Sequence, residues 1–524
     1  MSTNSYKNVE RTDEKRDLLS ILLGIYVISI GVGLPLAVRD RYFDILLFKY
    51  YYFCFCTILM VVLLVGYSFT IGFKRTALYL KNFTLKAFLK NLKVQDYFVL
   101  IYLFIAIIST VTSDYLYESF WGNEGRYTGL FLITQYVVAY FCISRFWNYK
   151  RWYIDLILAT GIFVCLFGIT DYFNLDIFRF KVAMIAEQRP IFTSTLGNIN
   201  TYTAYVGLIT AIATVLFTTE ERFKYKIWYF ACMVISFFAI IMGVSDNAYL
   251  SLAALFGFLP LYLFKSKKGI QRYLILLATF FTVTQCIEWI NTCFGDKVLG
   301  INSAFNLVIG FGGLHFLVIT MWAVVLFLYI IGYKRKAGVK EYGNTFRYVW
   351  LGMIGLVLIA ILYVFFDCNV AGNVEKYGNL SNYILFNDEW GTHRGYIWRN
   401  TMECYLKLST WKKIIGFGPE TFGILVMRKT ANNPYHELFD SAHNEYLHTL
   451  VTVGIAGLTA YLIFIFSYIK KCFSYKKKDP YIIAIAFGVI CYSVQAFVNL
   501  NLPITTPILW LLLGIGSARS IEEQ

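Results

Sequence analysis

Apolar residues along this chain fall into blocks of about twenty, and the short polar stretches between the blocks hold most of the charge. A hydrocarbon core of ~30 Å is crossed by roughly twenty residues of helix, so each block predicts one transmembrane helix. The blocks lie at about 18–38, 51–73, 96–113, 127–145, 152–173, 196–217, 227–244, 247–264, 273–290, 313–333, 348–366, 443–469, 481–499 and 504–518. A polar break at Ser245, Asp246 and Asn247 parts two of them, either as a tight hairpin or as an interruption within one region. The fold this predicts is all-α, a polytopic membrane protein with about 14 transmembrane helices. It divides into eleven helices with short loops over 1–366, one large extracytoplasmic loop over 367–442, and three more helices over 443–524.

Composition agrees with the pattern. Of 524 residues, 58% are hydrophobic and 15% charged, against about 45–50% and about 25% in a soluble domain. No polar stretch is long enough to carry the surface of a soluble enzyme. The abundant aromatics, 19% of the chain, suit two interfacial belts. Met1 to Asp17 is polar, and Leu18 to Val38 carries no small-residue cleavage site, so it reads as a retained first helix. Cysteines such as Cys54, Cys165 and Cys491 sit inside apolar runs without CxxC spacing, which makes them small buried residues.

The net charge of +15 does not point to nucleic acid, because the basic residues form short clusters between apolar runs instead of one basic face. The clusters orient the chain. With the N-terminus in the cytoplasm and alternating spans, the cytoplasmic segments hold 31 Lys and Arg and the short outer loops hold 8. Long loops translocate regardless of charge, so the comparison leaves out residues 367–442. It places both termini in the cytoplasm and the long loop outside.

That loop carries eight acids and ends in Asp440-Ser-Ala-His443-Asn444-Glu-Tyr-Leu-His448, running on to Gly454 and Gly457. Asp440 or Ser441 can cap a helix that has His443 in its first turn, with Leu447 and Leu450 on the same face. Gly454 and Gly457 let a neighbouring helix come close. Upstream, Thr392-His-Arg394 leads to Trp398, and a helix from Gly395 on puts Arg394, Trp398 and Met402 on one face. Arg399 is expected to pair with Glu403 at i+4. Gly416 and Gly418 read as turn formers, since no Gly-Lys-Ser/Thr ending follows them.

The order of these pieces resembles the O-antigen ligase and O-antigen polymerase superfamily. Arg394-x-x-x-Trp398, Gly416-x-Gly-Pro-x-x-Phe422 and Ala442-His-Asn-x-x-Leu-x-x-Leu-x-x-x-Gly454-x-x-Gly-Leu carry the resemblance. Trp121-Gly-Asn-Glu-Gly-Arg126-Tyr-Thr-Gly-Leu is similar to the family's early outer loop, and Leu196-Gly-Asn198-Ile-Asn200 to the opening of its central helices. Asn499-Leu-Asn-Leu-Pro503 through Gly514 is similar to its last span. The resemblance implies a GT-C-like helical bundle in the bacterial cell membrane. It also implies an inverting, metal-independent glycosyltransferase without cofactor, used in cell-surface polysaccharide assembly. Such an enzyme moves a glycan from an undecaprenyl diphosphate carrier to a hydroxyl of a glycan, lipid or protein acceptor.

The chemistry fits such parts. A diphosphate leaving group needs permanent, forked positive charge, and outer-side candidates are Arg126, Arg189 and Arg394. The acceptor hydroxyl needs a base, and a histidine with a pKa near working pH, His443, is the candidate. Asn444 and Trp398 are candidates for substrate binding. Relatives often carry an arginine at the central outer hairpin; Ser245-Asp-Asn-Ala248 has none, and Arg189 is the candidate substitute. A zinc hydrolase built on His436, His443 and His448 is disfavoured, because His443 and His448 are i, i+5 and lie about 140° apart on a helix. A lipid-linked glycan flippase is the alternative, but it leaves the long outer loop unexplained, and no paired halves are visible.

Overall fold

The computed structural model describes residues 18–82, 84–123, 125–334, 343–475 and 479–518. The polar N-terminus, Glu124 of the early outer motif and several of the counted basic residues, Lys340 and Arg519 among them, lie outside these.

Each apolar block folds as a helix. Ten are long and apolar enough to cross a membrane, and four shorter apolar helices, Leu130–Phe146, Ala248–Leu263, Leu314–Ile330 and Thr506–Gly516, complete the set. The described residues hold one sheet, a two-stranded antiparallel pairing of Phe192–Thr193 with Gly197–Asn198. The protein is therefore all-α and polytopic. The polar break near residue 245 is a turn between two helices, Phe223–Met242 and Ala248–Leu263, not an interruption of one.

The bundle is built around Ile199–Thr219, whose membrane-length window is wholly buried. It packs against Phe223–Met242, Ala248–Leu263 and Pro480–Gln495. Small and hydroxylated residues along it, such as Ala204, Gly207 and Thr214, let these neighbours approach. Val94–Val111 lies along Gly454–Ser474, where a Cβ on Gly457 would touch Ile105 at 3.5 Å. By contrast, the window of Thr345–Asn369 has no buried residue, which places that helix against lipid.

The connecting segments gather at two ends, as alternating spans require. At one end Tyr42 Oη donates to Ser194 O (2.9 Å), Ser113 Oγ to Phe417 O (2.9 Å) and Asn499 Nδ2 to Asn200 O (3.2 Å). At the other, Arg145 pairs with Asp96, Arg151 with Asp479 (3.1 Å) and Arg272 with Glu221 (3.1 Å). Segments assigned to the outer side meet one another, and so do those assigned to the inner side.

Candidate active site

The long loop folds over the first of these ends as a set of short helices. Trp390–Lys407 opens with a left-handed turn at Gly391, Thr392 and His393 (φ 62°, 59° and 64°) and is regular from Arg394 on. That turn aims Arg394 inward at the central hairpin. Its Nη1 donates to Gly391 O (3.2 Å) and its Nη2 to Asn247 Oδ1 (3.4 Å). Its Nε is buried without a partner among the described residues. Burial lowers the Arg394 pKa, and the charge of nearby Asp246 opposes that shift.

Gly416 and Gly418 do form a turn, with φ of 92° and 133° that glycine alone adopts cheaply. Phe417 N donates to Val451 O (2.9 Å) and Gly418 N to Thr452 O (3.0 Å). The turn therefore takes up carbonyls at the C-terminus of Glu445–Thr452, which ends there. The chain bends at Gly454 (φ 77°), and the membrane helix Gly454–Ser474 starts afresh.

This changes the expected setting of His443. It is not in the first turn of a helix but precedes the helix in a left-handed conformation, φ 47°. Asn444, instead of Asp440 or Ser441, is the cap, its Oδ1 accepting from Tyr446 N and Leu447 N at 3.0 Å each. His443 thus shares no helical face with Leu447 and Leu450. It is held by its neighbours: its N–H donates to Ser441 Oγ (3.2 Å), and Trp398 Nε1 donates to Ala442 O (2.8 Å).

Two cations act on the half-buried imidazole. Burial lowers its pKa first, then Arg126 and Arg394, while Asp440 opposes them, and the result is about 4. The neutral ring therefore dominates at neutral pH, through desolvation and two guanidiniums. The expectation of a pKa near working pH does not hold for the unliganded protein. Arg126 reaches the site from the early outer loop and makes a two-pronged pair with Asp440, Nη2–Oδ1 2.6 Å and Nε–Oδ2 3.1 Å.

Arg126, Arg394, Trp398, His443 and Asn444 therefore come together. Arg189 does not join them: it donates to Met184 O (3.1 Å) and Val182 O (3.5 Å) in its own loop, and the guanidinium at the central hairpin is Arg394. Arg399 pairs with Asp388 (2.7 Å), and Glu403 with Lys429, so the expected i+4 pair does not form. His448, disfavoured as a zinc ligand, has a buried partner on the Gly416–Phe422 turn. It lies 3.7 Å from Glu420, a buried carboxyl that the motif reading passed over. The available signal was an acid placed inside Gly-x-Gly-Pro-x-x-Phe. An open pocket of about 520 Å³ lies on the same loop, lined by Phe386, Asp388, Glu389, Gly395, Arg399 and Tyr435, and neither Arg394 nor His443 is among its lining residues.

A helical membrane protein with an arginine–histidine site between its loops is the class these features define. Residues 299–462 match the family model described as O-Antigen ligase, Wzy_C. Over those residues the chain is similar to the O-antigen ligase family, a match that supports the O-antigen ligase and polymerase superfamily and implies a glycosyltransferase-type enzyme. Arg394, Trp398, His443 and Asn444 fall within the match, and Arg126 and Arg189 before it. A search of curated proteins gives no match to this chain.

Proposed function

We propose that the protein transfers a glycan from an undecaprenyl diphosphate carrier to an acceptor hydroxyl on the outer side of the bacterial cell membrane, with both termini in the cytoplasm. The observation that carries this reading is the meeting of a neutral His443 with two guanidiniums, one of which, Arg394, makes no carboxylate pair among the described residues. Arg394 takes the diphosphate and stabilises its charge as the bond to the anomeric carbon breaks. His443 accepts the proton of the acceptor oxygen as that oxygen forms the new bond. Attack opposite the leaving group inverts the anomeric centre. Fixed guanidinium charge fills the role a metal ion has elsewhere, so the step is metal-independent. The carrier's tail stays in the bilayer. The same residues serve a single transfer or a repeated one.

The test uses purified protein in nanodiscs with a labelled lipid-linked glycan and acceptor. Wild type should form the new glycoside in the presence of a chelator, and His443→Gln should bind donor without transferring it. Movement of the donor between leaflets with no glycoside formed would replace this reading with transport.

A further inference from the structure

Arg126 lies in a turn between two anchors, Asn123 and Thr128, and one residue fastens both of them. Asn123 Nδ2 donates to the backbone oxygen of Glu420 (2.8 Å), and Thr128 Oγ1 donates to the Glu420 carboxyl. The Arg126 peptide lies between the two anchors. The base of the turn is already tight, since a Cβ on Gly122 would press on the backbone of Tyr127 at 2.7 Å. Tyr127 in turn stacks on Tyr50 at 4.8 Å.

Glu420 is an expensive residue to place there. Its φ is 57°, a conformation unfavourable for a side chain of this size, and it is 3% exposed. Its second neighbour is His448 Nε2 at 3.7 Å, on Glu445–Thr452, whose ring stacks on Phe422 at 5.2 Å. One carboxyl thus joins the early outer loop, the Gly416–Phe422 turn and the helix that follows His443. An apolar residue would fill the space but could not receive the Thr128 hydroxyl.

We propose that Glu420 is the positioning residue for Arg126, clamping its turn so that the guanidinium meets Asp440 and faces His443. This rests on the transfer reading of that group. A cavity of about 30 Å³ lies beneath, lined by Arg126, Thr128, Glu420, His448 and Tyr136. The Tyr136 hydroxyl is buried without a partner among the described residues, so the clamp has polar space and room for about one water under it. Burial raises the Glu420 pKa to about 7, while the Thr128 hydroxyl and Arg126 oppose it. A neutral acid still accepts from Thr128 and leaves the charge of Arg126 to Asp440. Glutamine, which keeps an oxygen there, should therefore substitute, and alanine should not.

Two readouts test the clamp in nanodiscs: transfer kinetics, and trypsin cleavage after Arg126. Glu420→Ala and Thr128→Val should each lower transfer roughly 10–100-fold, the scale of a misplaced group. Glu420→Gln should stay within about threefold of wild type, because the Thr128 bond survives. Adding Glu420→Ala to Arg126→Ala should cost nothing more, since both remove the same group. Trypsin should cut the Ala and Val variants faster than wild type or Glu420→Gln. Multiplying losses in the double variant, or equal damage from Gln and Ala, overturns the proposal. Thr128→Val carries the test if Glu420→Ala does not fold. If wild type transfers nothing, the functional reading fails, and the trypsin comparison still decides the clamp.

Discussion

The two arginines beside His443 are held in opposite ways. Arg126 is tied by two of its three guanidinium nitrogens to Asp440, so its charge is met within the protein. Arg394 touches only neutral oxygens, and its Nε has no partner among the described residues. A largely buried cation whose nearby carboxylate, Asp246, acts on it only through its charge is costly, and a fold that keeps one at a site open to a ligand favours an anion there. On the proposed reading Arg394 is the diphosphate clamp, and the Arg126–Asp440 pair sets the field around the base.

The largest effect should come from the residue on which both arginines act. His443→Gln should lower transfer about 10²–10⁴-fold, the worth of a general base, with donor binding kept. Near wild-type transfer at matched expression would make the ring a positioning group. Next comes the clamp. Arg394→Ala should cost about 10²–10³-fold in kcat, as for one lost charge-stabilising donor. Arg394→Lys should be nearly as poor, because an ammonium does not reproduce the planar fork. A lysine variant close to wild type would dissolve the distinction between the two cations.

pH sharpens the contrast. The guanidiniums help hold His443 down to about 4 in the free protein, and a bound diphosphate offsets their charge, so His443 should titrate higher in the donor complex. The acid limb of kcat should then lie at higher pH than that of kcat/KM, since the former reports the complex and the latter the free enzyme. Coinciding limbs would mean that the donor phosphates do not reach these arginines. Asp440→Asn removes the carboxylate that opposes the lowering and releases Arg126. It should move the kcat/KM limb further down and cost less than about tenfold, the scale of one solvent-exposed ion pair. The smallest effect belongs to Arg399→Ala, within about twofold, because its pair with Asp388 is exposed.

The spans were readable from the sequence because a run of apolar residues long enough for a bilayer has few other solutions. Arg394, Trp398 and His443 were readable as a group because each sits in a short motif on the one long loop. What the sequence hid were features set by distant partners. Arg126 meets a carboxylate 314 residues away, and no local spacing announces it. The helix after His443 starts late because Asn444 outcompeted Asp440 and Ser441 as the cap. Arg399 had an acid at the right helical offset, yet the loop brought Asp388 closer. Arg189 looked available as a charge, but its own loop folds back to accept its hydrogen bonds.

The bend at Gly454 works as a mechanical joint. Glu445–Thr452 is capped at Val453 where Gly454–Ser474 begins, and a Cβ on Gly454 would overlap Ile414 O. Surrounding lipids load a membrane helix, whose tilt follows the thickness of the bilayer. A straight helix would convey each change of tilt to its far end as a lever. The jointed one leaves the short outer segment anchored to the Gly416–Gly418 turn, so the geometry at His443 is insulated from the membrane in which the protein sits.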